Sequence, residues 1–244
     1  MKSEASGHLA RAAEPSSLGL RTVELLEGID PSGLEEIARQ CRWRRYTADE
    51  QIISREAADN DVYIIVAGRV RVTTFSASGR EVVFGEMRAG QWFGDFAAID
   101  GQARSADVVA MEDSLIAAMS PALFQRVLHE NVEVCDRVLK RLVRCVRDLT
   151  ERVYDFSTLG VQNRVHAELL RLARQGGVAG NSARIDPAPR HADIAGQIST
   201  NREQVSRELS AMARQGLVRR EGHALVVPDV ARLERIVSEV RRST

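Results

Sequence analysis

The chain has 244 residues, room for two ordinary domains, with 34 Lys and Arg matched by 34 Asp and Glu. No apolar run approaches the roughly 20 residues of a membrane helix, and the first residues lack the apolar block of a secretory signal. A cytoplasmic protein with no membrane partner is expected.

The zero net charge is divided unevenly. Residues 1–160 carry 20 basic against 25 acidic side chains, while residues 161–244 carry 14 against 9. The C-terminal part therefore has the sign suited to phosphates. The three cysteines, Cys41, Cys135 and Cys145, form no C-x-x-C spacing and read as small buried apolar residues, not as disulfides or metal ligands.

In chain order, residues 1–20 are rich in Ala, Ser, Gly and charge and predict a disordered tail. Short helices are expected at 22–26 and 31–40, the second with Pro31 at its first position behind the capping residue Asp30. From Arg42 the hydrophobic period becomes two. Strands are predicted at 42–46, 51–54, 61–67, 69–75, 81–87, 106–110 and 114–119. Gly68, the run Ser76-Ala77-Ser78-Gly79, Gly90 and Asp100-Gly101 supply the turns. Many short strands at this spacing imply an antiparallel jelly roll over residues 21–130, closed by a helix at 121–128.

Residues 131–159 read as a long helix and hinge. Cys135, Leu142, Leu149 and Phe156 recur every seven residues; Val138 and Cys145 follow at the three-residue offset, and Leu139, Val146 and Val153 widen the stripe. That period is the coiled-coil one, so the seam predicts a dimer. Packing on the helix's own domain is the plainer alternative.

Within the roll, the run from Gly94 through Asp95, Phe96 and Ala97 to Arg104 and Ser105 is the informative one. Arg104 can fork onto a phosphate and Ser105 can add a hydroxyl, while amides of a helical turn near Phe96 favour the same anion. Asp95 can accept from a sugar hydroxyl. On spacing alone, Arg104 pairing with Asp100 on the surface is the simpler reading.

Residues 160–244 open on a hinge glycine, Gly160, and an amphipathic helix at 161–175 with Val165, Leu169, Leu172 and Ala173 inward. Ile194, Ala195, Ile198, Val205 and Leu209 then form the inner face of two short helices joined at 197–200, the spacing of a helix-turn-helix. Asn201 caps the second helix, whose start presents Arg202, Glu203, Ser206 and Arg207. Arg reads guanine and Glu reads the cytosine amino group. Residues 217–220 and 224–227 make a β-hairpin wing carrying Arg219 and Arg220, and His191 completes the expected DNA-binding set. Two structural helices under a hairpin would be the bland alternative.

These motifs resemble the cyclic AMP receptor (catabolite activator) family and the wider Crp-Fnr superfamily over about residues 24–228. The flavour is similar to the alphaproteobacterial cyclic-nucleotide regulators, from Arg152-Val153-Tyr154-Asp155-Phe156 and Val161-Gln162-Asn163-Arg164. The resemblance implies an α+β chain: an antiparallel β jelly-roll domain for the nucleotide, a long dimerisation helix and a winged helix-turn-helix. It implies that Arg104 and Ser105 hold the cyclic phosphate, with Gly94 and Asp95 at the ribose and Phe96 and Ala97 beside them. Leu149 and Thr150 fall where the family's cyclic AMP sensor has Thr-Ser against the adenine. Arg202, Glu203 and Arg207 match the pattern that reads a TGTGA-type half-site. The implied effector is cyclic AMP or cyclic GMP, with no metal, haem or iron–sulfur cluster. The implied partners are double-stranded DNA, a second copy of the chain and RNA polymerase.

Three positions depart from the family: Asp95 stands for Glu, Leu149 for a hydroxyl residue, and Ser199 for a turn glycine. A ligand-independent regulator whose roll only dimerises is the alternative these departures keep open. A cupin-like metalloenzyme would need histidines in the roll strands, and His8, His129, His166, His191 and His223 all lie outside them. An enzyme is therefore not expected.

Overall fold

The structure, a computed structural model, describes residues 11–75 and 81–243. Two compact units divide the chain, Met1–Val143 and Arg144–Thr244. The turn expected at 76–79 lies outside the described residues, as does the first half of the expected disordered tail.

The second half of that tail is ordered, which corrects the compositional expectation. β1 (Arg11–Ala12) pairs antiparallel with β2 (Arg42–Tyr46). α1 (Ser17–Leu20) is capped by Ser16, whose hydroxyl accepts from the Gly19 amide at 3.2 Å, and it buries Leu20 completely. Composition reports average hydrophobicity, and one leucine with a pocket to fill is enough to anchor a turn. Gly19 makes the approach possible, since a Cβ there would stand 2.6 Å from Val66. A short 3-10 turn at Glu24–Leu26 replaces the expected helix at 22–26. α2 (Pro31–Gln40) begins as anticipated, with the Asp30 carboxylate accepting from the Gly33 amide at 2.7 Å.

The roll follows as β3 (Gln51–Ile53), β4 (Val62–Ala67), β5 (Arg69–Phe75), β6 (Glu81–Arg88), β7 (Trp92–Phe93), β8 (Asp107–Ala110) and β9 (Ser114–Met119). A six-residue helix, α3 (Asp95–Asp100), interrupts the strands, and α4 (Pro121–Glu130) closes them. The sheets run β1-β2-β9-β4-β7 and β3-β8-β5-β6, with every pairing antiparallel.

The two-residue period of a strand sends alternate side chains to opposite faces, and here both faces are covered. Val62 and Ile64 of β4, with Ala117 and Met119 of β9, face a core shared with α2 and α4. Tyr63 and Ile65, with Ile116 and Ala118, face the chamber between the sheets.

α5 (Val132–Thr158) runs 27 residues without a break. Its first turns bury Val134 and Val138 in the first unit's core, with Leu142 packed at its edge. Val138, expected on the dimer seam, is only 3% exposed and belongs to its own domain. The apolar face is wider than a seam, and one edge of it is consumed internally. Beyond those turns Leu139, Val143, Val146 and Val153 stay exposed, together with Leu149 and Phe156 of the expected row.

The second unit contains α6 (Val161–Gly176), β10 (Val178–Ala179), β11 (Ser182–Ile185), α7 (His191–Gln197), α8 (Arg202–Arg214), β12 (Arg219–Glu221), β13 (Ala224–Val227) and α9 (Val230–Ser243). The sheet order is β10-β11-β13-β12. Val165, Leu169, Ile194, Val205 and Met212 form its core with Leu233 and Val237 of α9, a helix the sequence reading leaves out. Arg241 of α9 forks onto Asp155 at 2.9 and 2.8 Å.

Candidate ligand site and nucleic-acid interface

Gly94 is the N-terminal cap of α3 and sits at φ 86°, in the left-handed region that glycine occupies without cost. A Cβ there would come within 2.8 Å of Arg104 Nη1 and 2.7 Å of the Asp61 carbonyl. The glycine therefore lets the guanidinium lie against the backbone. Arg104 is 4% exposed, its Nη1 donating to the Gly94 carbonyl at 3.1 Å and its Nη2 to the Asp61 carbonyl at 2.9 Å. Nη2 also reaches the Asp59 carboxylate at 3.1 Å. The expected surface pairing with Asp100 is not made. Asp100 instead accepts from the Gln102 amide at 2.9 Å.

One guanidinium nitrogen is left over. Arg104 Nε is buried and has no hydrogen-bond partner in the structure. A buried donor without an acceptor is costly, so an anionic ligand fits this position. Tyr63 presents its ring 5.5 Å from the same guanidinium and donates its hydroxyl to Asp59. Burial, then the hydrogen bond to Asp59, pushes the Tyr63 hydroxyl up from its ordinary range.

Asp95, expected at a ribose, is buried at 2% exposure and forms an ion pair with Arg141 of α5. That arginine lies 4.6 Å over the Trp92 ring. Ala97 is buried, Phe96 is 43% exposed and Ser105 is exposed, so of the expected cassette only Gly94, Asp95, Ala97 and Arg104 are packed inward. Leu149 and Thr150 belong to the second unit. Leu149 is half exposed, and the Thr150 hydroxyl donates to the Val146 carbonyl at 2.9 Å. Among the described residues, no group of three His, Cys, Asp or Glu is placed to hold a metal.

In the second unit, α7 and α8 join through Ile198, Ser199 and Thr200. Ser199 adopts φ 53°, taking up the left-handed turn without glycine. The Asn201 side chain accepts from the Gln204 amide at 2.9 Å and starts α8. Val205, Leu209 and Met212 point into the core, which turns Arg202, Glu203 and Arg207 outward. His166 on α6 meets Glu208 on α8 at 2.7 Å, and Arg171 bonds both Glu168 and Gln197, at 2.8 and 2.7 Å. These ties fix the outward face. Burial, with Arg202 and Arg220 nearby, holds the His191 pKa below its usual value. His191 at the start of α7 therefore lies within electrostatic reach of Arg202 at the start of α8 and of Arg220 on the wing.

Two family models cover most of what has been described: the cyclic nucleotide-binding domain over residues 43–131 and the Crp-like helix-turn-helix domain over residues 163–236. The chain belongs to the Crp/Fnr family of transcription regulators. The CRP-like cAMP-activated global transcriptional regulator of Mycobacterium tuberculosis is 23% identical over 212 residues, 86% of this chain and 95% of its own. The cAMP-activated global transcriptional regulator Vfr of Pseudomonas aeruginosa is 28% identical over 198 residues, 80% of this chain and 92% of its own. A solved CooA mutant from Carboxydothermus hydrogenoformans superposes with a TM-score of 0.74 at 19% identity, over 93% of this chain and 98% of that one, which supports the fold.

As a Crp/Fnr regulator the chain carries two site residues that sequence reading missed beside Arg104 and Asp95. Asp59 lies in an irregular loop 45 residues before Arg104, and no spacing rule links them. Arg141 of α5 pairs with Asp95 across 46 residues, and no spacing rule links those two either.

Proposed function

We propose that this Crp/Fnr regulator is a homodimer that binds cyclic AMP or cyclic GMP in its roll and thereby binds a palindromic TGTGA-type operator, working with RNA polymerase. The observation that carries the reading is the buried guanidinium of Arg104, held against Gly94 with a spare donor, Nε. The exposed row Leu139, Val146 and Val153 gives α5 a face for a second copy, at the seven-residue repeat of a coiled coil. Arg202, Glu203 and Arg207 supply the base-reading set, and Arg219 and Arg220 the phosphate contacts. Thr150 would be a permissive base contact once its hydroxyl leaves the Val146 carbonyl, because a hydroxyl both donates and accepts. Cyclic AMP and cyclic GMP affinities should then lie within about a hundredfold, roughly 2.8 kcal/mol.

The nucleotide can shift the equilibrium only by its differential affinity for two arrangements, and coupling is reciprocal. Calorimetry with each nucleotide, with and without operator DNA, tests the reading: operator should tighten nucleotide binding by the factor by which nucleotide tightens operator binding. A second reading, a ligand-independent regulator with a vestigial roll, draws on one observation, the pairing of Arg104 with Asp59. Equal nucleotide affinity with and without operator would favour it.

A further inference from the structure

We propose that Asp59 is an internal competitor for the phosphate site, a carboxylate that sets nucleotide affinity by occupying the donor that the cyclic phosphate must take. The inference rests on the reading of Arg104 as the phosphate contact. A guanidinium binds a phosphate best through two parallel N–H groups. Here Nη1 is held by the Gly94 carbonyl and Nη2 by the Asp61 carbonyl and Asp59. The Nε donor, without a partner, is one half of such a fork. Nη2, one of whose two acceptors is the Asp59 carboxylate, supplies the other half.

The three partners of Arg104 differ in what they can give up. Gly94 and Asp61 contribute neutral carbonyls, Gly94 at the start of α3 and Asp61 at the threshold of β4. Asp59 alone is charged, and it reaches Arg104 by a side chain from the irregular stretch between β3 and β4. Its side chain is 37% exposed, against 3% for that of Arg104, so it has a path to solvent. Tyr63 donates to the same carboxylate and steadies it in place. An incoming phosphate therefore exchanges one anion for another and leaves the backbone contacts intact.

Apparent affinity falls by the fraction of molecules in which the site is open. An Asp59–Arg104 pair closed about nine times in ten would weaken the observed affinity by about tenfold. The carboxylate also neutralises a buried cation when no nucleotide is bound, so its loss should act oppositely on stability and on binding. This opposition separates competition from a merely structural role.

The test is calorimetry with cyclic AMP on the full-length protein, the Asp59→Asn variant and a charge-matched control, Glu56→Gln, from the same loop. Asp59→Asn should bind about tenfold more tightly, roughly 1.4 kcal/mol, while its melting temperature without nucleotide falls. Glu56→Gln should leave both unchanged. Tyr63→Phe, which loosens Asp59 without removing it, should give a smaller gain of about threefold, and it serves if Asp59→Asn does not fold. Unchanged or weaker binding in Asp59→Asn, or an equal gain in Glu56→Gln, would overturn the proposal. If no variant binds cyclic AMP, the cyclic-nucleotide reading fails, and titration with inorganic phosphate, followed at the Arg104 side-chain N–H resonances, still decides. A response at lower phosphate in Asp59→Asn supports the competitor, and identical titrations reject it.

Discussion

The roll and the winged helix unit both offer arginines to phosphate-bearing ligands, and they hold them in opposite ways. Arg104 is buried among two carbonyls, a carboxylate and an aromatic ring, whereas Arg202 and Arg207 stand on the outer face of α8 with their charges in water. A buried cation must be partnered in every state, since an uncompensated charge in the interior is costly. Its ligand therefore arrives by exchange, and the outgoing partner tunes affinity. An exposed cation needs no such partner and gains by releasing counterions along a phosphate backbone. One unit is built for a single small anion and the other for a long polyanion.

Removing the buried cation should have the largest effect. Arg104→Leu should weaken cyclic AMP binding by more than about a hundredfold, roughly 2.8 kcal/mol, in calorimetry, while the dimer persists in sedimentation. Affinity kept within threefold by a folded variant would erase the contrast between the two units. On the exposed side, Arg202→Ala or Glu203→Ala should cost about 1–3 kcal/mol at the cognate half-site and relax base preference in a randomised-site selection. Arg219→Ala or Arg220→Ala should instead weaken all DNA alike and flatten the salt dependence.

The two edges of α5 sharpen the comparison in the same manner. Val138→Ala deletes about two methylene equivalents from the first unit's core and should cost about 1.6 kcal/mol or more in urea unfolding. Val146→Glu should leave folding nearly unchanged and shift association toward the monomer. If Val138→Ala dissociated the dimer and Val146→Glu did not, the row at 138 and not the row at 146 would be the interface.

The smallest effect concerns His191. Its pKa is lowered by burial and by Arg202 and Arg220, so the free protein protonates it at lower pH than an ordinary histidine. DNA phosphates favour the charged form, so binding takes up a proton and operator affinity should rise as pH falls through the ordinary histidine range. The gain should be under about threefold and absent from His191→Gln. A pH profile identical in the two proteins would remove His191 from the interface.

Much of the fold was legible because strands advertise themselves by alternation and helices by caps. β2, β5 and β9 fall at the expected residues, and α2 begins behind Asp30 as its Pro31 requires. β1 and β7 are two residues long, too short to display any period. α9 carries a helical period in Leu233, Ile236 and Val237, the same kind of signal that marks α6. The seven-residue row of α5 was legible, but the use of its first turns in the first unit's core was not, because the apolar face is wide enough for two uses. In the site, Gly94 and Arg104 share one local motif, whereas Asp59 meets Arg104 only after β4 and β7 have paired beside it. Local motifs are legible, and charges brought together by topology are not.

The double-sided burial of β4 makes it a partition with a different room on each side. Ile64 and Ile65 are one peptide apart, yet the first packs with the helices and the second lines the chamber between the sheets. Their methyl resonances are thus two microphones on opposite sides of one wall. When nucleotide is added, the order in which they change should reveal which side of the partition hears the signal first.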